Sequence, residues 1–228
     1  VAPAKRYTVA HKQVQQSNKR LLYRQGTPGQ QALAWLETRG FTHNMIRHYR
    51  LGLEQRWIIL DENKPDAREC YWSICIYIPA EEAGQFYKKM RVAPWLEGNA
   101  RPDYVGKWCQ YGVPATIWFT HLPEEVEATW YCEGEWDAMR LGWLARQQNA
   151  PIAVCCSTSG CNTVPKPEQL DRLPGTVTIF FDRNDEPRKD GTIPGDAGAK
   201  KLALALAGRG RIAKVPMPEG CLVKGWDV

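Results

Sequence analysis

The feature that most constrains this chain is the rhythm of its last hundred or so residues. From Glu127 onward, short apolar runs alternate with helical stretches. Thr129-Trp130-Tyr131-Cys132 reads as a strand, Trp136 to Gln147 as a helix, and Ile152 to Cys156 as a strand. Lys166 to Arg172 reads as a short helix, Val177 to Phe181 as a strand, and Ala197 to Ala207 as an alanine- and leucine-rich helix. Arg211 to Val215 is a last strand. Strand–helix alternation of this kind predicts a mostly parallel sheet flanked by helices. Functional groups in such a sheet gather at the carboxyl ends of its strands.

Upstream the texture differs. Residues 1–36 carry Lys5, Arg6, Lys12, Lys19, Arg20 and Arg24 and no acid. Residues 1–27 are therefore read as a basic arm, open to two interpretations: a phosphate-binding segment, or a solvated linker. Thr27 is expected to cap a helix from about Gln30, closed at Gly40. A second helix carries Met45, Ile46 and Tyr49 on one face. Strand runs follow at 57–60, 71–78, 85–91 and 117–119, with basic residues at Lys88, Lys89, Arg91, Arg101 and Lys107. The expected organisation is a basic arm at 1–27, a smaller strand-rich subdomain at 28–126 and an α/β domain at 127–228.

Composition closes off several classes. No apolar run approaches the roughly 20 residues a membrane span needs, and no apolar segment follows the charged start as in a secretory signal. The chain reads as a cytoplasmic protein with no membrane partner. The chain has 8 cysteines but no C-x2-C pair, so a zinc module lacks its spacing. Cys75, Cys132, Cys155 and Cys156 sit in strand runs as small apolar side chains. With 10 tryptophans and 9 tyrosines, some aromatics are candidates for stacking surfaces.

Acids stand just after the predicted strands. Glu133 lies in Cys132-Glu133-Gly134-Glu135-Trp136-Asp137, and Asp182 in Phe181-Asp182-Arg183-Asn184-Asp185-Glu186. Asp227 lies farther on, twelve residues past the last strand, in Lys224-Gly225-Trp226-Asp227. A parallel sheet brings such positions to one edge. Converging carboxylates repel unless a cation lies between them, and hard oxygen ligands suit Mg²⁺ or Mn²⁺. Acids in these places also serve as helix caps and turn formers, and Asp137 fits that description too.

These motifs resemble the TOPRIM domain of phage and plasmid primases and primase-helicases, over residues 127–228. The resemblance implies a TOPRIM, Rossmann-like α/β fold and an acidic catalytic centre with Glu133 and Asp182 as metal ligands. The family's second aspartate falls near Asn184 and Asp185. Asp185 is the expected catalytic carboxylate, Asn184 a further metal ligand, and Asp196 an alternative. The family's Ala-Gly pair is matched by Ala197-Gly198, after an inserted stretch, 186–196, read as an exposed loop at the site's rim. Asp137 and Asp227 are expected to contribute to nucleotide or template binding.

Upstream, Lys88-Lys89-Met90-Arg91 and Lys107-Trp108-Cys109-Gln110-Tyr111-Gly112 resemble the basic half of the primase RNA-polymerase domain. That match assigns template and triphosphate binding to Lys89, Arg91 and Lys107, with Trp108 or Tyr111 stacking on a base or serving as a core aromatic. The resemblance implies primer synthesis on single-stranded DNA from nucleoside triphosphates, alongside a fused or separate helicase. There is no Gly-x4-Gly-Lys-Ser/Thr loop and no zinc module in the sequence, so the chain reads as a fragment of a larger primase. A TOPRIM nuclease, or a non-catalytic nucleic-acid-binding module, are the alternatives the acids leave open.

Overall fold

The computed structural model describes residues 7–23, 26–60, 64, 66–96, 102, 105–110, 112–182 and 187–214. The chain forms two compact units, Val1–Val113 and Pro114–Val228. This division lies upstream of the one expected at 126/127. The reason is the strand Ile117–His121, which the sequence grouped with the first half. It is hydrogen-bonded to Ile152–Ser157 in the second sheet. Among the described residues, no helix is long and apolar enough to cross a membrane.

The first unit is built on an antiparallel sheet. Its strands are β1 (Thr8–Ala10), β2 (Gly52–Ile59), β3 (Arg68–Pro79), β4 (Gln85–Val92) and β5 (Trp108–Gln110). The order is β1-β4-β3-β2, and β5 also pairs with β4. Three helices precede β2: α1 (His11–Tyr23), α2 (Thr27–Thr38) and α3 (His43–His48). Thr27 is the first residue of α2 rather than its cap. Thr42 caps α3, its hydroxyl accepting the Met45 N–H at 3.3 Å.

Residues 11–23 of the expected basic arm form α1, a helix packed on the sheet. Val14, Ser17 and Leu21 form its buried stripe. Asn18 Nδ2 donates to the Ile46 and Leu51 carbonyls at 3.2 and 2.7 Å, and Arg20 donates to Leu53 O at 3.1 Å. The helix lies so close to β2 that a Cβ on Gly52 would stand 2.2 Å from Ser17 Oγ. The stripe escapes a hydrophobic-pattern reading because one of its members is a serine and its flanks are polar.

Lys88 ties β4 to this framework. Its ammonium contacts Glu54 at 2.6 Å, and the Tyr77 hydroxyl donates to the same carboxylate at 2.5 Å. Burial alone would raise the Glu54 pKa. The hydrogen bonds from Lys88 and Tyr77 and the charges of Lys88 and Arg20 outweigh it, leaving Glu54 below its ordinary 4.5. For Lys88, burial would lower the pKa, but Glu54 holds it above 10.5.

The second unit is a sheet of order β10-β9-β7-β8-β6. Its strands are β6 (Ile117–His121), β7 (Ala128–Cys132), β8 (Ile152–Ser157), β9 (Thr176–Phe180) and β10 (Gly210–Ile212). Its helices are α4 (Glu135–Gln147), α5 (Pro167–Leu170) and α6 (Pro194–Ala205). All pairs are parallel except β6 with β8. Tyr131, Cys155, Val177 and Ile179 present one face of the sheet to Leu170 of α5 and to Ala199 and Leu202 of α6. Helix α4 packs on β6 and β8, where Thr120 Oγ1 donates to the Ala138 carbonyl at 2.6 Å. Cys132, Cys155 and Cys156 are buried within the sheet, in the apolar role their strand positions predict.

The Glu54–Lys88 pair makes the first unit's stability depend on pH in a defined way. Because the Glu54 pKa is depressed, its contribution is complete above the ordinary carboxylate range and is lost as pH falls through the folded value. Because the Lys88 pKa is raised, its contribution is complete below 10.5 and is lost as pH rises through the folded value. Glu54→Gln is expected to cost about 1–2 kcal/mol at neutral pH, since it leaves a half-buried ammonium facing a neutral amide. Urea midpoints measured from about pH 3 to 7 check this. The variant should lose part of the acid-side fall that the natural chain shows.

Candidate metal centre and basic strand face

Strand β7 lies between β8 and β9, with Cys132 level with both Cys156 and Phe180. The next residue, Glu133, continues the ladder, its N–H donating to Phe180 O at 3.1 Å. That bond holds the Glu133 backbone at the end of β9. Its carboxylate then turns to the following segment, where Oε2 accepts the Asp182 N–H at 3.0 Å. The two acids expected at the strand ends are therefore brought together by a direct bond.

Helix α6 completes this edge. A Cβ on Gly195 would lie 2.4 Å from Asp182 O and 3.1 Å from Glu133 Oε2, so its backbone rests against both residues. One turn later, a Cβ on Gly198 would lie 2.5 Å from Cys161 O, beyond β8. The two glycines let the start of α6 settle onto the carboxyl ends of the strands. Asp196 stands in its first turn. The opening turn of α4 carries Glu135, which is buried, and Asp137. A Cβ on Gly134, the residue before α4, would meet Asp137 Oδ2 at 3.7 Å. The Asp137 carboxylate thus sits at its own helix's N-terminus, where the helix dipole favours negative charge.

The start of α4 thus faces Asp137, and the start of α6 lies against Glu133 and Asp182, where a helix N-terminus favours negative charge. Glu133 and Asp182 supply hard oxygen donors, and a carboxylate has lone pairs beyond those one N–H uses. That chemistry fits Mg²⁺ or Mn²⁺. Among the described residues, no group of three or more metal-ligating side chains closes around one point. Asn184, Asp185 and Asp227 lie outside the described residues.

The stretch expected as an exposed insert is shorter than the sequence suggested. Pro194, Gly195 and Asp196 are the opening residues of α6. Before them the chain turns back on itself. The Arg188 N–H donates to Thr192 O at 2.8 Å and the Gly191 N–H to Arg188 O at 2.9 Å, while the Arg188 guanidinium bonds to Asn162. Sequence reasoning missed Gly195 because a Pro-Gly-Asp string reads as a turn. The i, i+3 spacing of Gly195 and Gly198 was the available signal of a close helix approach.

In the first unit, strand alternation sorts the cations. Lys88 faces Glu54, while Lys89 and Arg91 share the opposite face of β4. Arg91 is level with Trp108 and Lys89 with Gln110. The Lys89 ammonium lies 5.1 Å from the Trp108 ring centroid, and the Arg91 guanidinium carbon 5.2 Å from it. Lys107 is exposed just before β5, and its carbonyl accepts the Val92 N–H at 3.0 Å. Tyr111 lies outside the described residues.

Gly195→Ala is expected to push the start of α6 away from Asp182 and Glu133, at about 1–3 kcal/mol of stability in urea unfolding. It should also weaken Mn²⁺ binding, followed by the EPR signal of the free ion. Wild-type Mn²⁺ affinity in a destabilised Gly195→Ala protein would show that α6 does not shape the acidic pair.

No protein-family model and no characterised protein matches this sequence. Solved structures do match in shape. The primase fragment of the bacteriophage T7 primase-helicase aligns with a TM-score of 0.53 at 14% identity, over 79% of this chain and 64% of that one. The E. coli primase catalytic core aligns at 0.55 and 17% identity, over 92% of this chain and 72% of that one. A DnaG primase catalytic domain bound to single-stranded DNA aligns at 0.51 and 15%, over 92% and 71%. At these identities the likeness is one of architecture, and by it the chain has the fold of a primase catalytic core.

Proposed function

We propose that this chain is the catalytic domain of a DNA primase, making short primers on single-stranded DNA by template-directed nucleotidyl transfer. The observation that carries the reading is the bond between the Asp182 N–H and the Glu133 carboxylate. It joins two acids at the strand ends of a sheet that belongs to a primase-core fold. Glu133, Asp182 and Asp185 would hold the metal, with Asn184 offering a neutral oxygen. A bound Mg²⁺ or Mn²⁺ supplies charge neutralisation at the transferring phosphoryl group. Asp137 and Asp227 belong to the same reading as contributors to nucleotide or template binding.

The chain's own residues divide the remaining work. Lys89, Arg91 and Lys107 neutralise template and triphosphate charge, which otherwise opposes bringing a polyanionic nucleotide to a polyanionic strand. The Asp182 N–H holds the Glu133 carboxylate in place before any ligand arrives, so less ordering is left to the moment of reaction. A helicase, fused or separate, is the partner this activity implies.

The test is primer synthesis on a single-stranded template with labelled ribonucleotides and Mg²⁺ or Mn²⁺. Labelled oligomers are expected from the natural chain. Glu133→Gln should reduce their yield at least about 100-fold, the upper range for loss of even an outer-shell metal partner, while template binding persists. DNA cleavage without extension would replace this reading with a nuclease. Absence of both activities, with DNA binding intact, would leave a non-catalytic module.

A further inference from the structure

Lys89 and Arg91 stand two residues apart on one strand face, where like charges repel. Both are nearly buried, at 7% and 9% exposure, while Trp108 on the neighbouring strand is 38% exposed. Each cation lies within the roughly 6 Å over which an aromatic face attracts a positive charge. The indole lies level with Arg91 in the β4–β5 ladder, so backbone hydrogen bonds fix it there.

We propose that Trp108 is a positioning residue: its ring holds Lys89 and Arg91 side by side as a paired phosphate site. In this arrangement the indole is engaged by the two cations rather than offered as a stacking platform for a template base. The inference rests on the reading above that these cations bind nucleic-acid phosphates. It adds that their grip depends on an aromatic ring that itself reads no base. Arginine's guanidinium gains most from such a face, since it is planar and weakly hydrated. Lys107 has no part in this arrangement and acts separately.

Salt dependence separates positioning from stacking. Each phosphate neutralised on a single strand adds about 0.7 to the slope of log affinity against log salt. A base stacked on a ring adds affinity but little slope. Binding of the full chain to a fluorescent single-stranded oligonucleotide of mixed sequence would be titrated by anisotropy at several salt concentrations. Trp108→Ala is expected to lower the slope by about 0.7 to 1.4, as one or both cations lose their alignment. Trp108→Tyr should keep most of the slope, since the π face remains. Trp108→Leu retains apolar bulk without that face and should behave like Trp108→Ala, which guards against a simple folding defect. In a Lys89→Gln/Arg91→Gln background, Trp108→Ala should add no further loss of slope.

Weaker binding at unchanged slope in Trp108→Ala would make the indole a stacking platform and overturn the proposal. So would wild-type affinity and slope in both Trp108→Ala and Trp108→Leu. A natural chain with no salt-dependent binding to single-stranded DNA would instead sink the primase reading, and this inference with it.

Discussion

The arrangement of the second unit depends on one register. Strand β7 must pair with β8 and β9 so that Cys132 is level with Phe180, because only then does Glu133 reach both Phe180 O and the Asp182 N–H. A slip by one residue would turn the side chain of every β7 residue to the other face. The register is set far from the site as well. Gly175 has φ 63, and a Cβ there would stand 2.3 Å from Glu127 O, so the turn entering β9 fits only against the start of β7. Thr129 Oγ1 adds a bond to Pro174 O at 2.7 Å. The acids at one end of these strands are thus placed by packing at the other.

The first unit uses strand alternation for a different end. Within Lys88-Lys89-Met90-Arg91, one cation pairs with a carboxylate and two lie against one aromatic ring. Lys88 faces Glu54 and Tyr77 and is half-buried there. Met90 shares that inner face, packed with Val14, Cys75 and Phe86. Lys89 and Arg91 point the other way, beside Trp108. A basic run that looks uniform as a string is therefore divided by the pleat between the two faces of the sheet.

This explains what the sequence disclosed and what it withheld. The parallel strands of the second unit were legible because buried central strands need unbroken runs of β-branched, aromatic and small apolar residues, as in Val177 to Phe181. Glu133 and Asp182 were legible because they directly follow such runs. Strand β6 was misassigned because an antiparallel edge strand comes with no crossover helix to announce its sheet. Strands β1 and β5 span only Thr8–Ala10 and Trp108–Gln110, too few residues for any period to show. Helix α1 was hidden by a serine on its buried face. The supports of the acidic pair, Gly195 above all, are close approaches between distant segments; the spacing of Gly195 and Gly198 signals a close approach but not which segment is approached.

The same partition extends beneath the acids. Trp130 of β7 and Phe180 of β9 meet edge to face at 5.7 Å. Tyr131 and Phe181 meet at 6.2 Å, and alternation places them on the opposite face of the sheet. Phe180 and Phe181 lead directly into Asp182, and Trp130 and Tyr131 are separated from Glu133 only by Cys132, so aromatic rings flank these strand ends on both faces of the sheet. Aromatic side chains bury large apolar area, and in the less polarisable surroundings they create, each electrostatic interaction is stronger than in water. Aromatic residues at the ends of β7 and β9 thus stabilise the sheet at the edge that carries Glu133 and Asp182.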